Sequence, residues 1–110
     1  MDAPGEDNLS EALDRLWAQF LPLINERIAV LAAAAATSAT SRLSAEQQEA
    51  AKSAAHKLAG VLGTYGLPRG TQVARELETM YSCLEDPGAL LSAHLASLAA
   101  ELRQIVETRK

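Results

Sequence analysis

His56 is the residue of this sequence whose type and surroundings best suit chemistry at a protein surface. It lies in the stretch AAHKLAGVLGTYGL, with Gly60 four residues later and Gly63 seven residues later. An ordinary imidazole is largely neutral at neutral pH and keeps one nucleophilic nitrogen. Each glycine inside a helix costs about 1 kcal/mol relative to alanine. Two such glycines beside a nucleophile therefore need a physical reason.

A helical projection places His56 on the face opposite the apolar residues of its helix. Because a helix turns about 100° per residue, Leu58 lies about 200° from His56, at the centre of the apolar cluster. We therefore predict that His56 is exposed. The same periodicity predicts a set of buried leucines in three helices: Leu58, Leu62, Leu77, Leu95, Leu98 and Leu102.

Small residues surround His56 in this projection. We predict that they let another protein approach the imidazole and form a partner-docking surface, which comprises Ser53, Ala59, Gly60 and Gly63. Lys52 and Lys57 lie at its edge. A non-functional interpretation stays open, in which His56 is a solvated side chain and the glycines allow two helices to pack closely. His94 has no glycine or lysine beside it, and we expect it to have no functional role.

The elements that position His56 are helices. We predict a disordered lead-in over residues 1–7 and a single domain over 8–110, with Asn8 as the first N-cap. Apolar residues then recur at helical spacing from Leu9 to Ala35, which predicts that both halves of this helix face one core. Pro22 is expected to kink or split it.

Three further helices follow. Ser44 and Gln47 have the form of a capping box, and Gly66 is a candidate left-handed cap at the end of the second helix. Pro68 suits the first turn of the third helix, which the segment EDPG should end. Together the four amphipathic helices predict an all-α, antiparallel up-down four-helix bundle.

Composition excludes several classes of function. The net charge of −4 and the lack of a basic stripe argue against nucleic-acid binding. The apolar run from Ile28 to Ala36 is too short for a membrane span of about 20 residues. The acidic N-terminus is unlike a secretory signal, and a single cysteine excludes an internal disulfide. We expect a cytoplasmic protein.

The segment AAHKLAGVLGTYGLPRGTQVARELE resembles the signature of the histidine-containing phosphotransfer (HPt) domain. The matching residues are Ala55, His56, Leu58, Gly60, Gly63, Ala74, Leu77 and Glu78. The resemblance implies a four-helix bundle in which the histidine takes a phosphoryl group from a receiver-domain phospho-aspartate and passes it on. This sequence departs from the family pattern at Ala59, where many members have a lysine that can interact with the phosphoryl group.

This resemblance implies a phosphorelay carrier that relies on the active sites of its partners. The partners would be response-regulator receiver domains and a hybrid histidine kinase, and the chain would be a monomer. No acidic cluster adjoins His56 in the projection, so we expect no cofactor of its own and Mg²⁺ in the receiver domain. Lys57, Lys52 and Arg75, which falls roughly level with His56 on the next helix, are the candidate neighbours of the phosphoryl group.

Two alternatives remain open at this point. One is the phospho-accepting domain of a chemotaxis-type histidine kinase, which differs only in its partner. The other is a helical interaction module that uses the same small-residue face without chemistry. A metal-binding bundle is disfavoured, because the two histidines lie far apart in sequence and no Glu-x-x-His motif is present.

Overall fold

Four helices make up the part of the protein that the structure describes. The computed structural model describes residues 4–83 and 89–109, and in chain order its helices are α1 (Pro4–Ser38), α2 (Ala45–Thr64), α3 (Pro68–Cys83) and α4 (Ala89–Thr108). Each helix packs against its neighbours in sequence, and α1 also packs against α4, which closes the bundle. No strand occurs in the described part of the chain. The predicted all-α four-helix bundle is confirmed.

Large aliphatic side chains from all four helices meet in one core. The leucines predicted to be buried are all buried, and they are joined by α1 residues such as Ile24, Ile28 and Leu31. Alanines of α1 and α2 also belong to this core, among them Ala35, Ala51 and Ala55. Small side chains allow helix axes to approach each other closely, which explains why an alanine-rich sequence with few aromatic residues still packs well.

The ends of α2 follow the sequence signals. The Ser44 hydroxyl accepts a hydrogen bond from the Gln47 backbone N–H, and the Gln47 side chain accepts one from the Ser44 N–H, which confirms the capping box. At the other end Gly66 has φ +67°. Its N–H donates to the Gly63 carbonyl and the Leu67 N–H donates to the Leu62 carbonyl, a Schellman arrangement. These caps set the start and end of the helix that carries His56.

The first helix differs from its sequence prediction in where it begins and in its continuity at Pro22. It begins at Pro4, so Asn8 lies inside the helix instead of capping it, and residues 4–7, expected to be disordered, are helical. It also continues through Pro22 as one helix, so the predicted split is wrong. The other expected effect, a kink at Pro22, stays a prediction. The predicted break at EDPG lies outside the described residues.

The prediction that all apolar positions of α1 face one core is wrong for its N-terminal half. Ile24, Ile28 and Leu31 are buried, but Leu16 and Phe20 are exposed. In their place Trp17, which the spacing analysis passed over, enters the core. Two apolar stripes about 80° apart run along this helix, and spacing alone cannot tell which one meets the bundle.

Among the described helices, α1 is the one that is long and apolar enough to cross a membrane, over Leu9–Ser38. The core helix of a soluble protein can be equally long and apolar, so these two properties are weak evidence for a membrane span. Within its most apolar stretch only 28% is buried, so a large part of the apolar surface of α1 faces away from the core.

Candidate functional site

His56 stands on the outer face of α2, as predicted. Its side chain is 74% exposed, whereas Leu58, two residues on, is completely buried. The burial pattern of α2 explains the orientation, because its apolar residues recur at helical spacing and face the core on the opposite side. The imidazole is therefore open to a partner molecule.

Glu78 holds one nitrogen of this imidazole. His56 Nδ1 lies 2.8 Å from a carboxylate oxygen of Glu78, which projects from α3 and is 28% exposed. A carboxylate only accepts hydrogen bonds, so Nδ1 carries the proton in the neutral ring and Nε2 keeps the free lone pair. The arrangement favours the tautomer whose free lone pair lies on the nitrogen turned away from Glu78.

Sequence reasoning did not place Glu78 in the site. Glu78 was part of the quoted motif, at the end of ARELE, but it lies 22 residues from His56 along the chain. The helical projection considered the surroundings of His56 on α2 alone. The helical register of α3 could have indicated Glu78. Leu77 is buried, so the next residue, Glu78, is expected at the edge of the buried face.

A shallow surface pocket surrounds the pair, formed by α2 and α3. Its lining residues besides His56 and Glu78 are Ala59, Gly60, Arg75 and Thr79. Arg75 was expected to lie level with His56, and the structure brings both side chains to this pocket. Arg75 also borders a second, more apolar pocket next to it, which includes Gly63 and Thr71. Arg75 is exposed and lines both pockets.

The two glycines are not needed for helix packing. A Cβ atom at Gly60 would have no neighbour within 4 Å, and one at Gly63 would lie 3.6 Å from the Thr71 hydroxyl, an ordinary contact. By contrast, a Cβ at the buried Gly70 would come within 3.0 Å of Leu62. Gly60 and Gly63 therefore leave the surface beside His56 low and open, which favours the access interpretation over the packing interpretation.

The expectation that Ala59 belongs to an exposed docking surface needs correction. Ala59 is 7% exposed, and although it lines the His56 pocket, it lies at the buried edge between α2 and α3. The projection placed it on the histidine side because it considered α2 in isolation. Packing of α3 covers that flank. The cation that lines this pocket is Arg75 of α3.

The remaining predicted neighbours lie farther round α2. Lys57 is exposed, and Ser53 and Lys52 are half-buried. None of these three is among the residues that line the His56 pocket. The other histidine, His94, is 51% exposed, and its Nε2 lies 3.4 Å from Glu76. In the described residues no group of three or more His, Cys, Asp or Glu side chains could hold a metal ion.

Fold and site together define a class of protein: a helical bundle that presents one histidine, fixed by a carboxylate, on an open surface beside an arginine. A family model for the Hpt domain matches residues 15–108. The chain belongs to the Hpt domain family. Hpt domains are phosphorelay carriers in two-component signalling; they interact with receiver domains and histidine kinases and are typically soluble cytoplasmic modules.

One curated relative is similar to more than half of the chain. Protein RcaC of Microchaete diplosiphon is 35% identical over 66 residues, which cover 60% of this chain and 10% of that protein. The chain therefore spans about a tenth of the length of the curated relative it matches. No solved structure matches the chain.

Proposed function

We propose that His56 is the residue of this Hpt domain that accepts the phosphoryl group, at Nε2, from the phospho-aspartate of a receiver domain. The observation that carries the proposal is the hydrogen bond from Nδ1–H to Glu78 on an otherwise open imidazole. In the tautomer that this bond favours, the outward-facing nitrogen, Nε2, has a free lone pair. A nucleophile oriented in this way needs no rearrangement before attack.

In the proposed step Nε2 attacks phosphorus, an N–P bond forms, and the bond between phosphorus and the aspartyl oxygen breaks. The aspartate carboxylate leaves with the bonding electron pair. The imidazole becomes positively charged as the new bond forms, and the Glu78 carboxylate on Nδ1–H stabilises that charge. The reverse sequence returns the phosphoryl group to a second receiver domain.

The partner supplies the rest of the active site in this proposal. Glu78 is the carboxylate that lines the His56 pocket, and it is engaged by the imidazole. A divalent cation prefers several oxygen ligands, so this site fits a metal poorly. We therefore place Mg²⁺ in the receiver domain and regard this chain as a carrier, acting in the cytoplasm, that relies on its partners for catalysis.

Incubation with a panel of phosphorylated receiver domains tests the proposal. We expect label to move to the chain and to be lost on acid treatment, as a phosphoramidate is. If no receiver domain transfers its label but an ATP-binding kinase domain does, the chain is the phospho-accepting domain of a kinase. If neither labels it, the chain is an interaction module.

Replacing Glu78 with alanine is expected to slow phosphorylation of His56 roughly tenfold, about the worth of one hydrogen bond to a charged group. The Glu78→Gln variant should recover part of the rate, because its amide oxygen still accepts from Nδ1–H but carries no charge. Rapid-quench measurement gives the transfer rates of the wild type and of both Glu78 variants. Equal rates for the wild type and Glu78→Ala would remove Glu78 from the mechanism.

Arg75 is the proposed replacement for the family lysine that is absent at Ala59. Arg75 lines the His56 pocket and is exposed, and its guanidinium is a donor suited to phosphoryl oxygens. Arg75→Gln is expected to slow transfer several-fold, by at most about tenfold. Lys57→Gln and Lys52→Gln are the matched controls and should have smaller effects. A larger loss in either lysine variant would assign the role to that lysine.

A further inference from the structure

A second pocket lies beside the His56 pocket, at the turn from α2 to α3. We call it the Gly63 pocket, and its lining residues include Gly63, Gly66, Leu67, Pro68, Thr71 and Arg75. Most of its surface is apolar, and its volume is about 420 Å³. Pockets that bury small molecules begin at about 300 Å³, so this one has room for a large side chain.

The Gly63 pocket is continuous with the phosphorylation site. Arg75 lines both pockets. Along α2, Gly63 follows His56 by seven residues, which is two turns or about 10 Å. A stable interface covers about 800 Å² of each partner, equivalent to a disc of about 16 Å radius. A protein domain centred over His56 therefore also covers the Gly63 pocket.

The low part of the surface runs from His56 toward this pocket. Gly60 lines the His56 pocket and Gly63 lines the next one, and a Cβ atom at either position meets nothing closer than an ordinary contact. On the other side of His56 along α2, Lys52 and Ser53 carry side chains. The two glycines therefore clear one continuous path for a partner, which leads from His56 to the Gly63 pocket.

The hydrogen-bonding groups of the turn are used within the chain. The Gly66 N–H donates to the Gly63 carbonyl, and the Leu67 N–H donates to the Leu62 carbonyl. The N–H and the hydroxyl of Thr71 both donate to the Leu67 carbonyl. A polar group that entered the pocket would lose water and gain few hydrogen bonds in return. The pocket therefore suits an apolar side chain.

The walls of the pocket are in place before any partner binds. Leu67 packs against the core, and the ring of Pro68 fixes its φ angle. The hydrogen bonds at Gly66 and Thr71 hold the turn between them. Entry into a preformed pocket requires little ordering of this chain, so most of the gain from burying an apolar side chain is available as affinity.

We propose that the Gly63 pocket binds an apolar side chain of the receiver domain and so holds that domain over His56. This inference rests on the proposed function, and Hpt domains interact with receiver domains. The pocket lies about two turns from the reacting nitrogen, so its contact is the same before and during phosphoryl transfer. Such a contact strengthens binding and leaves the rate within the complex unchanged. It favours receiver domains that carry an apolar side chain at the matching position.

Gly63→Leu tests the proposal, because its side chain fills the pocket. With the receiver domain that labels the wild type best, we expect the half-saturating receiver concentration to rise at least roughly tenfold, about the worth of one buried apolar side chain. The transfer rate at saturation should stay within about twofold of the wild type. Labelling by acetyl phosphate should be as in the wild type. Thermal melting followed by circular dichroism checks the fold.

Gly63→Ala keeps the test open if the leucine variant does not fold. Its methyl group makes only an ordinary contact with Thr71, and it should raise the half-saturating concentration about threefold. Ala93→Leu, at an exposed position of α4, is the matched control and should behave as the wild type. An unchanged half-saturating concentration in the Gly63 variants overturns the proposal. So does a lower saturating rate at an unchanged half-saturating concentration.

Two further variants test the chemistry of the occupant and the dependence on phosphotransfer. Thr71→Val removes the hydroxyl at nearly the same shape, so an apolar occupant should bind equally or more tightly, and weaker binding overturns the apolar assignment. His56→Gln should bind the unphosphorylated receiver domain with wild-type affinity in calorimetry, and adding Gly63→Leu should weaken that binding. Label accepted by His56→Gln would contradict the phosphotransfer proposal alone, whereas an affinity unchanged by Gly63→Leu would contradict the pocket alone.

Discussion

Replacing His56 with glutamine is expected to abolish phosphoryl acceptance and leave the fold intact. Glutamine has no nucleophilic nitrogen, so no N–P bond can form. The imidazole it replaces is 74% exposed, and substitutions at such positions usually change stability by no more than about 0.5 kcal/mol. Transfer of label from a phosphorylated receiver domain measures the first effect, and thermal melting followed by circular dichroism measures the second.

His94→Gln is the matched control for this experiment. His94 is also an exposed histidine near a carboxylate, Glu76, but it lies on α4, outside the His56 pocket. Its replacement should leave acceptance at the wild-type rate. Acid-labile label that persists in His56→Gln and disappears in His94→Gln would move the site to α4 and contradict the assignment.

Replacing Gly60 with leucine is expected to slow transfer from a receiver domain by roughly 10- to 100-fold, since misplacing reacting groups by about 1 Å costs that much. Gly60 lies one turn from His56 and lines the same pocket. A Cβ there has no neighbour within 4 Å, so the leucine side chain extends into the space that the partner would occupy. For the same reason we expect no loss of stability, and a gain of up to about 1 kcal/mol because leucine costs less than glycine inside a helix. Single-turnover kinetics and thermal melting measure the two effects.

Phosphodonors of different size show whether Gly60→Leu obstructs docking of the receiver domain or impairs the reactivity of His56 itself. Acetyl phosphate or phosphoramidate needs less room than a receiver domain, so any labelling of His56 by these donors should suffer less in Gly60→Leu. Gly60→Ala adds only a methyl group and should transfer at nearly the normal rate. Ala93→Leu adds the same side-chain type at an exposed position of α4 and controls for surface hydrophobicity. Normal transfer by Gly60→Leu would mean that the receiver domain does not dock beside His56.

Several features could be predicted because they depend on residues close together in the chain. The capping box at Ser44 involves side chains three residues apart, and the left-handed turn at Gly66 depends on one glycine following a helix. The exposure of His56 follows from its angle to Leu58 on the same helix. In each case the helical geometry relates neighbouring residues without any knowledge of the rest of the fold.

The core of the bundle was predictable for a related reason. Leu58 and Leu62 belong to the most apolar face of α2, so any packing that buries α2 must bury them. The two apolar stripes of α1 show the limit of this reasoning. Both have helical spacing, and the choice of Trp17 over Phe20 for the core depends on where the ends of α2 and α4 lie.

By itself, the sequence determined the four helices, both caps of α2, the inner faces of α2, α3 and α4, and the outward direction of His56. The tertiary structure alone decided what surrounds that histidine. It placed Glu78 on Nδ1, brought Arg75 to the pocket and covered Ala59. The physical reason is that spacing in sequence sets the angle of a side chain about its own helix axis. The contacts between α2 and α3 depend on how the two helices are placed relative to each other, which a pattern within one helix does not specify.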